Sequence, residues 1–244
     1  WLALNKRGNS STRERIALIQ RFIRVFGKDN IAGVLGDREF IGKAWFSYLQ
    51  KQGISFYFRV KKDADTTNSK GQSIAISWLF HQLKLNEFKR ISTTRNVYGH
   101  QLYITGMRLA DDFLIVVTNQ EPQQAQAIEV YARRWEIETL FGCLKSKGFR
   151  FEETAMVNRN RIKKLVAVLT LAFCWAHLTG EWQAAQHKPI PLKKHGRPQH
   201  NFFRYGLNWI AQKLNQRGYF LKQLYRVFLQ FFGPPQHHNS ITLA

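Results

Sequence analysis

Short apolar runs and helical segments alternate over the first 60 residues of the chain. Residues 31–35 and 54–60 are apolar runs bounded by turn residues, which is typical of buried strands. Residues 1–5 predict a further strand. One helical stretch lies between the first two strands, and residues 41–52 form another. The order strand, helix, strand, helix, strand predicts an α/β sheet with helices packed on it.

The first predicted helix has a recognisable start. Ser10, Ser11 or Thr12 is expected to cap it, and Glu14 favours an early cap. A helix with one apolar face packs that face against the rest of the domain. The side chains expected to face the core are Ile16, Leu18, Ile19, Phe22, Ile23 and Phe26.

The pattern changes after residue 60. Residues 61–72 are polar, and residues 74–83 predict a short helix. Strand-like segments joined by turn residues follow at 88–94, 97–108 and 113–118. This order predicts an antiparallel insertion with edges rich in Lys and Arg. Those charges either contact a polyanion or protect the edge strands from aggregation, and the sequence leaves both interpretations open.

One continuous helix is predicted over residues 125–145. Its apolar residues recur at helical spacing: Ile128, Val130, Ile137, Leu140, Phe141 and Leu144. Four polar residues form a stripe beside this arc: Tyr131, Arg134, Glu138 and Lys145. An α-helix turns about 100° per residue, and this rotation places the four side chains within roughly 60° of one another around the helix axis. This stripe is either an active face or a solvated surface with an Arg134–Glu138 ion pair.

A second acidic residue stands out by its position. Asp37 follows the apolar run 31–35, and open α/β sheets bind ligands at the carboxyl ends of their strands. The alternative is that Asp37 only caps a helix or completes a turn. Carboxylates beside basic residues suit phosphodiester chemistry, because carboxylates hold the Mg²⁺ ions that activate the attacking oxygen and stabilise the leaving one.

The net charge indicates a polyanionic partner. The chain has 37 Lys and Arg against 16 Asp and Glu, for a formal net charge of +21. A charge this positive favours nucleic acid, with membrane headgroups as the competing polyanion. Basic residues are spread along most of the chain rather than gathered in one patch, and this favours a broad DNA-binding surface over membrane binding.

The remaining segments set further limits. Cys143 and Cys174 are too few for a zinc site, and the lack of an expected disulfide fits a reducing cytoplasm. The apolar run 165–178 is shorter than the roughly 20 residues that span a bilayer, so we expect a buried helix there. The predicted C-terminal pattern is a helix at 160–178, an irregular basic segment at 189–198, and helices at 202–216 and 220–232.

Taken together, these residues resemble a known family. Tyr131, Arg134, Glu138 and Lys145 have the spacing of the Y-R-E-K signature of bacterial insertion-sequence transposases in the DDE superfamily. Residues 36–40 look like the segment around the second catalytic Asp of that family. Further similar segments are 1–10, the inserted β region, 195–198 and 203–207.

The resemblance implies an RNase H-like (retroviral-integrase-like) α/β fold. In that reading, residues 1–60 begin the core, 61–120 are the β insertion, 121–150 hold the helix with the catalytic Glu, and 151–244 form a C-terminal helical region. The implied reaction is metal-dependent cleavage of double-stranded DNA at transposon ends, followed by strand transfer.

The resemblance also assigns roles to single residues. Asp37 and Glu138 become the catalytic metal ligands for Mg²⁺, for which Mn²⁺ can substitute. Tyr131, Arg134 and Lys145 contact DNA near the reactive phosphate. The implied setting is the bacterial cytoplasm at the nucleoid, with no membrane partner and a homodimer in the synaptic complex.

The sequence departs from the family pattern at one point. The family uses three carboxylates, and its first Asp is expected on a strand before Trp1, so we expect an N-terminally incomplete sequence and an inactive or nearly inactive chain. The alternative from a different functional class is a non-catalytic DNA-binding remnant or regulator of transposition. A repair nuclease of the same fold is a third, weaker interpretation.

Overall fold

The computed structural model describes residues 8–123, 126–145 and 148–215, together with Tyr225 and Phe228. The predicted strand at residues 1–5 and nearly all of the predicted helix at 220–232 lie outside the described residues. The chain divides into two compact units, Trp1–Glu136 and Ile137–Ala244.

The first unit is built on a mixed β-sheet. The strands of this unit are β1 (Val34–Gly36), β2 (Phe56–Arg59), β3 (Asp65–Thr67), β4 (Ser73–Ala75), β5 (Phe88–Arg90), β6 (Arg95–Val97), β7 (His100–Arg108) and β8 (Phe113–Thr118). The main sheet has the order β1-β2-β8-β7-β5, and β6 pairs with β7. Only β1 and β2 run parallel; the other pairs are antiparallel. Strands β3 and β4 form a separate two-stranded sheet.

Helices cover both faces of this sheet. The α-helices of the first unit are α1 (Thr12–Phe26), α2 (Lys43–Lys51) and α3 (Gln126–Ala132), and α4 (Glu136–Lys145) begins at the unit boundary. Because successive side chains of a strand point to opposite faces, Phe56 and Phe58 of β2 join the core under α1 and α2, whereas Tyr57 packs against α3. The predicted mixed α/β architecture is therefore confirmed.

Helix α1 begins as predicted but buries a narrower face. Ser11 caps it and Glu14 completes the capping box. Three isoleucines recur at i, i+3 and i+7 and pack against the core: Ile16, Ile19 and Ile23. The prediction that Leu18, Phe22 and Phe26 also face inward is wrong, because these three lie roughly 50–130° to one side of the isoleucine stripe and are exposed.

The segment 61–120 contains the predicted antiparallel strands, with different limits. The predicted strand 97–108 begins only at His100, because Tyr98 and Gly99 adopt positive φ in the turn between β6 and β7. The short helix at 74–83 is a 3-10 helix, Ile76–Phe80, preceded by β4. Strand β8 lies between β2 and β7, so this segment continues the same sheet as β1 and β2.

The prediction of one continuous helix over 125–145 is wrong. A 3-10 turn, Arg133–Trp135, separates α3 from α4. Such a turn rotates about 120° per residue instead of about 100°, so the apolar arc predicted for a single helix does not continue across it. Ile137 and Phe141 of that arc are consequently exposed.

The second unit contains a pair of helices that cross closely. They are α5 (Arg159–Gln186), capped by Asn158, and α6 (Phe202–Asn215). At the crossing, a Cβ on Gly180 would overlap the carbonyl of Phe202, and a Cβ on Gly206 would overlap the carbonyl of Ala176. The connecting segment is irregular, as predicted, with one isolated bridge between Leu192 and Pro198.

The prediction that the apolar run 165–178 forms a buried helix is wrong. Helix α5 is longer than predicted, and only 11% of its most apolar 18-residue window is buried. Val168 and Leu171 are about 60% exposed, because α6 covers one side of α5. Among the described residues, α5 is the one helix long and apolar enough to cross a membrane. This is weak evidence for a membrane span, because core helices of other proteins can have the same length and composition.

Candidate active site

Asp37 lies where β1 ends. Gly36 precedes it, and a Cβ there would overlap the ring of Phe58 on the neighbouring strand. The chain then turns sharply: the Asp37 carbonyl accepts the Phe40 amide at 2.8 Å, and Asp37 Oδ1 accepts the Arg38 amide at 2.7 Å. Asp37 therefore stabilises the turn through Oδ1, as the turn interpretation of this residue predicted. Its half-buried carboxylate also lies at the carboxyl edge of the sheet.

Two further elements end at this edge. Strand β2 is parallel to β1, so its last residue, Arg59, lies at the same edge. Strand β8 is antiparallel to β2, so the turn before β8 brings Asp112 there as well. Arg59 Nη2 donates to Asp112 Oδ2 at 3.1 Å and to the Phe113 carbonyl at 3.4 Å. Arg38 Nη2 lies 3.8 Å from the same Asp112 oxygen.

Tyr131 lies on α3, which packs against β2 and β8. It is only 5% exposed and packs with Tyr57, Val116 and Ala127. Burial raises the pKa of the Tyr131 phenol, and the negative charge of Asp37 raises it further. Arg134, by its charge and a hydrogen bond, and Arg59, by its charge, lower that pKa in part. The phenol therefore lies within electrostatic reach of all three charged residues.

Arg134 extends the cluster from the 3-10 turn. Its guanidinium carbon lies 5.8 Å from the centroid of the Tyr131 ring. Within the first unit, the structure therefore places Arg134 beside the Tyr131 ring and brings the charge of Asp37 within range of the Tyr131 phenol. Sequence reasoning missed Arg59 and Asp112. The position of Arg59 was the available signal, since it lies near the end of the predicted strand at 54–60.

Glu138 and Lys145 lie on α4 in the second unit. Both side chains are exposed. Lys145 Nζ forms an ion pair with Glu152 Oε1 at 3.1 Å. The convergence of Glu138 and Lys145 with Asp37 stays a prediction.

The predicted site residues offer carboxylate oxygens to a metal ion such as Mg²⁺, but not a complete set of ligands. Within the described residues, no group of three or more His, Cys, Asp or Glu side chains is placed to hold a metal ion. Asp37 and Glu138 offer carboxylate oxygens, and Mg²⁺ is commonly bound by one or two carboxylates together with substrate phosphates. Arg59 and Arg134 place positive charge near the Tyr131 phenol, and positive charge in the site favours a metal that arrives with a phosphate over a metal alone.

Basic residues also line a cavity elsewhere in the first unit. This cavity has a volume of about 580 Å³, and its lining includes Lys89, Arg90, Arg95 and the exposed Trp78. Arg90 pairs with Glu121 at 3.6 Å. Cations beside an exposed aromatic ring are a common feature of nucleic-acid surfaces, which favours the polyanion interpretation of the β insertion.

A family model matches most of the chain. Residues 2–175 match the model described as the transposase DDE domain, and this span includes both predicted carboxylates and the other three residues of the predicted site. No curated protein sequence matches the chain.

Proposed function

Because the chain belongs to the family of transposases with a DDE domain, we propose that it is a DNA transposase of the Y-R-E-K group that cuts DNA at transposon ends and transfers the freed strand. The family acts on DNA, and the net charge of +21 suits that substrate. The observation that supports the proposal is that the charges of Asp37, at the carboxyl edge of the sheet, and of Arg134 both act on the buried Tyr131 phenol.

The proposed metal ligands are two carboxylates. Asp37 and Glu138 would hold Mg²⁺, or Mn²⁺ in its place, in an RNase H-like arrangement. A bound metal would activate the attacking oxygen and stabilise the charge on the leaving oxygen. The division of the chain into core, β insertion, core helix and C-terminal helical region stays part of this proposal, with its limits at residues 60, 120 and 150.

The side chains around the carboxylates would bind the phosphate. Arg134 is a fork-shaped donor that suits a phosphate oxygen, and Lys145 would add a second positive charge. The raised pKa keeps the Tyr131 phenol protonated at neutral pH, so it can donate a hydrogen bond to the DNA backbone. These groups would orient the reacting phosphate and offset its negative charge.

The proposal has three accompanying parts. The partner is double-stranded DNA, both the transposon ends and the target. Synapsis of two ends implies a homodimer. The setting is the bacterial cytoplasm at the nucleoid, without a membrane partner.

A second candidate is a non-catalytic DNA-binding remnant or regulator of transposition. The net charge of +21 supports this candidate as well, because it suits DNA binding with or without cleavage. We expect a polypeptide of residues 1–244 alone to cut DNA weakly or not at all, because it supplies only two of the three carboxylates that the reaction uses.

A cleavage and joining assay tests the proposal. The substrate is linear DNA carrying the sequences that flank the gene, with Mg²⁺ present. The 244-residue chain is compared with a polypeptide extended upstream in frame by a strand that bears an Asp. We expect the extended protein to cut and join the DNA, and both Asp37→Asn and Glu138→Gln to abolish the reaction.

The control is Glu39→Gln, because Glu39 is an exposed acid two residues from Asp37. Full activity of Asp37→Asn would contradict the proposal.

A further inference from the structure

One oxygen of Asp112 faces two guanidinium groups. Asp112 Oδ2 lies 3.1 Å from Arg59 Nη2 and 3.8 Å from Arg38 Nη2. Arg38 directly follows Asp37, and Arg59 closes the strand beside it. A single anionic oxygen between two guanidinium groups is also the arrangement in which proteins bind a phosphate oxygen.

We propose that Arg38 and Arg59 form a binding site for a phosphodiester group of DNA, and that the Asp112 carboxylate occupies this site while DNA is absent. The identity of the anion rests on the proposed function. The site lies beside Asp37, so a phosphate held there belongs to the DNA strand that enters the active site.

The hydrogen bonding of Arg59 supports a second anionic ligand. Its Nε is buried and lacks a hydrogen-bond partner within the described residues, and an unpaired buried donor is unfavourable. Asp112 contacts only Nη2. Nε and Nη2 lie on the same edge of a guanidinium group, and a phosphate can accept from both at once. A phosphate would therefore satisfy a donor that Asp112 leaves unpaired.

The exposure of the three side chains suits an exchange of ligands. Arg38 is 43% exposed and Asp112 is 30% exposed, so both can be reached from solvent. Arg59 is 19% exposed and also donates to the Phe113 carbonyl, which keeps it in place when Asp112 leaves. A partly exposed ion pair contributes little free energy, so a phosphate can displace the carboxylate readily.

Charge-matched substitutions in one turn test the inference. Duplex DNA binding by the 244-residue chain is measured by fluorescence anisotropy at fixed salt. Asp112→Asn removes the competing carboxylate, and Asp111→Asn, an exposed neighbour in the same turn, makes the same change in net charge. We expect Asp112→Asn to bind DNA about two- to fivefold more tightly than Asp111→Asn, since the lost competitor is a partly exposed ion pair.

If Asp112→Asn fails to fold, Arg38→Ala tests the proposed phosphate site instead, because Arg38 is exposed and its loss leaves the core intact. We expect it to weaken binding more than Arg24→Ala, at an exposed position on α1, and to cancel the gain from Asp112→Asn in the double variant. Equal affinity of the two Asn variants, or weaker binding by Asp112→Asn, overturns the inference while leaving the proposed function standing. If the unaltered chain does not bind duplex DNA at all, both fail.

Discussion

At the scale of single residues, the Tyr131 phenol experiences the charges of Asp37, Arg59 and Arg134 together. The position of Asp37 could be predicted because an apolar run followed by Gly-Asp marks the end of a strand. The contact between Arg59 and Asp112 could not be predicted, because the two residues are 53 positions apart and meet only through the pairing of β2 with β8. Local patterns do not encode which strands become neighbours.

The ionisation of Tyr131 provides the first prediction. Asp37→Asn removes a negative charge that raises the pKa of the phenol, so that pKa should fall toward its ordinary value. Arg134→Ala removes a positive charge and a hydrogen bond that lower the pKa, so the pKa should rise further. Ultraviolet titration, with Tyr131→Phe subtracted, measures both changes. Shifts of the same sign in both variants would contradict the described site.

The same raised pKa predicts the pH dependence of stability. The folded state holds the phenolic proton more tightly than the unfolded chain does. The resulting stabilisation is complete below the unfolded pKa of about 10 and is lost as pH rises through the folded pKa. The free energy of unfolding should therefore fall less steeply above about pH 10 in Tyr131→Phe than in the unaltered protein. Urea unfolding at several pH values measures this difference; parallel curves would refute it.

Gly36 provides a prediction about how Asp37 is positioned. Ala at this position would overlap the Phe58 ring, so Gly36→Ala should lower the free energy of unfolding by about 1–3 kcal/mol. Gly33→Ala is the matched control, since its Cβ would lie 3.5 Å from the nearest atom, at ordinary contact distance. We expect the control to change stability by less than about 0.5 kcal/mol. Equal urea midpoints for the two variants would show that the protein tolerates a Cβ at position 36 and would contradict the described packing of Gly36 against Phe58.

At the scale of whole elements, hydrophobic periodicity located most helices and strands but not their interruptions. The segment over 125–145 has the sequence pattern of one helix, because its apolar residues recur at helical spacing and no Gly or Pro marks the turn at 133–135. Arg133–Trp135 nevertheless divides α3 from α4. Similarly, the burial of α5 depends on what packs against it, and a sequence pattern reports only that the helix is apolar.

The crossing of α5 and α6 provides an element-scale prediction. In an ordinary helix, Gly→Ala stabilises by roughly 1 kcal/mol. Gly180→Ala should instead destabilise the second unit, because its Cβ would overlap the Phe202 carbonyl and separate the helices. Leu171→Ala, on the exposed side of α5, is the control and should have a small effect. A more stable Gly180→Ala variant in thermal unfolding would contradict the described crossing.

At the scale of the whole molecule, the excess of basic over acidic residues governs how the protein meets DNA. The logarithm of the DNA association constant should fall linearly with the logarithm of salt concentration, because binding releases counterions from the phosphates. Each lost phosphate contact, as in Arg38→Ala, should reduce that slope by about one. Anisotropy titrations at several salt concentrations measure it. Binding that does not change with salt would rule out a broad basic surface as the source of affinity.

The central proposal is that Asp37 and Glu138 hold one metal ion beside a DNA phosphate. Mn²⁺ binding followed by electron paramagnetic resonance, with and without duplex DNA, tests it most directly, because binding can be measured without turnover. We predict that DNA strengthens Mn²⁺ binding and that Asp37→Asn and Glu138→Gln each weaken it, whereas Glu39→Gln does not. Equal Mn²⁺ affinity in the unaltered protein, Asp37→Asn and Glu138→Gln would contradict the claim.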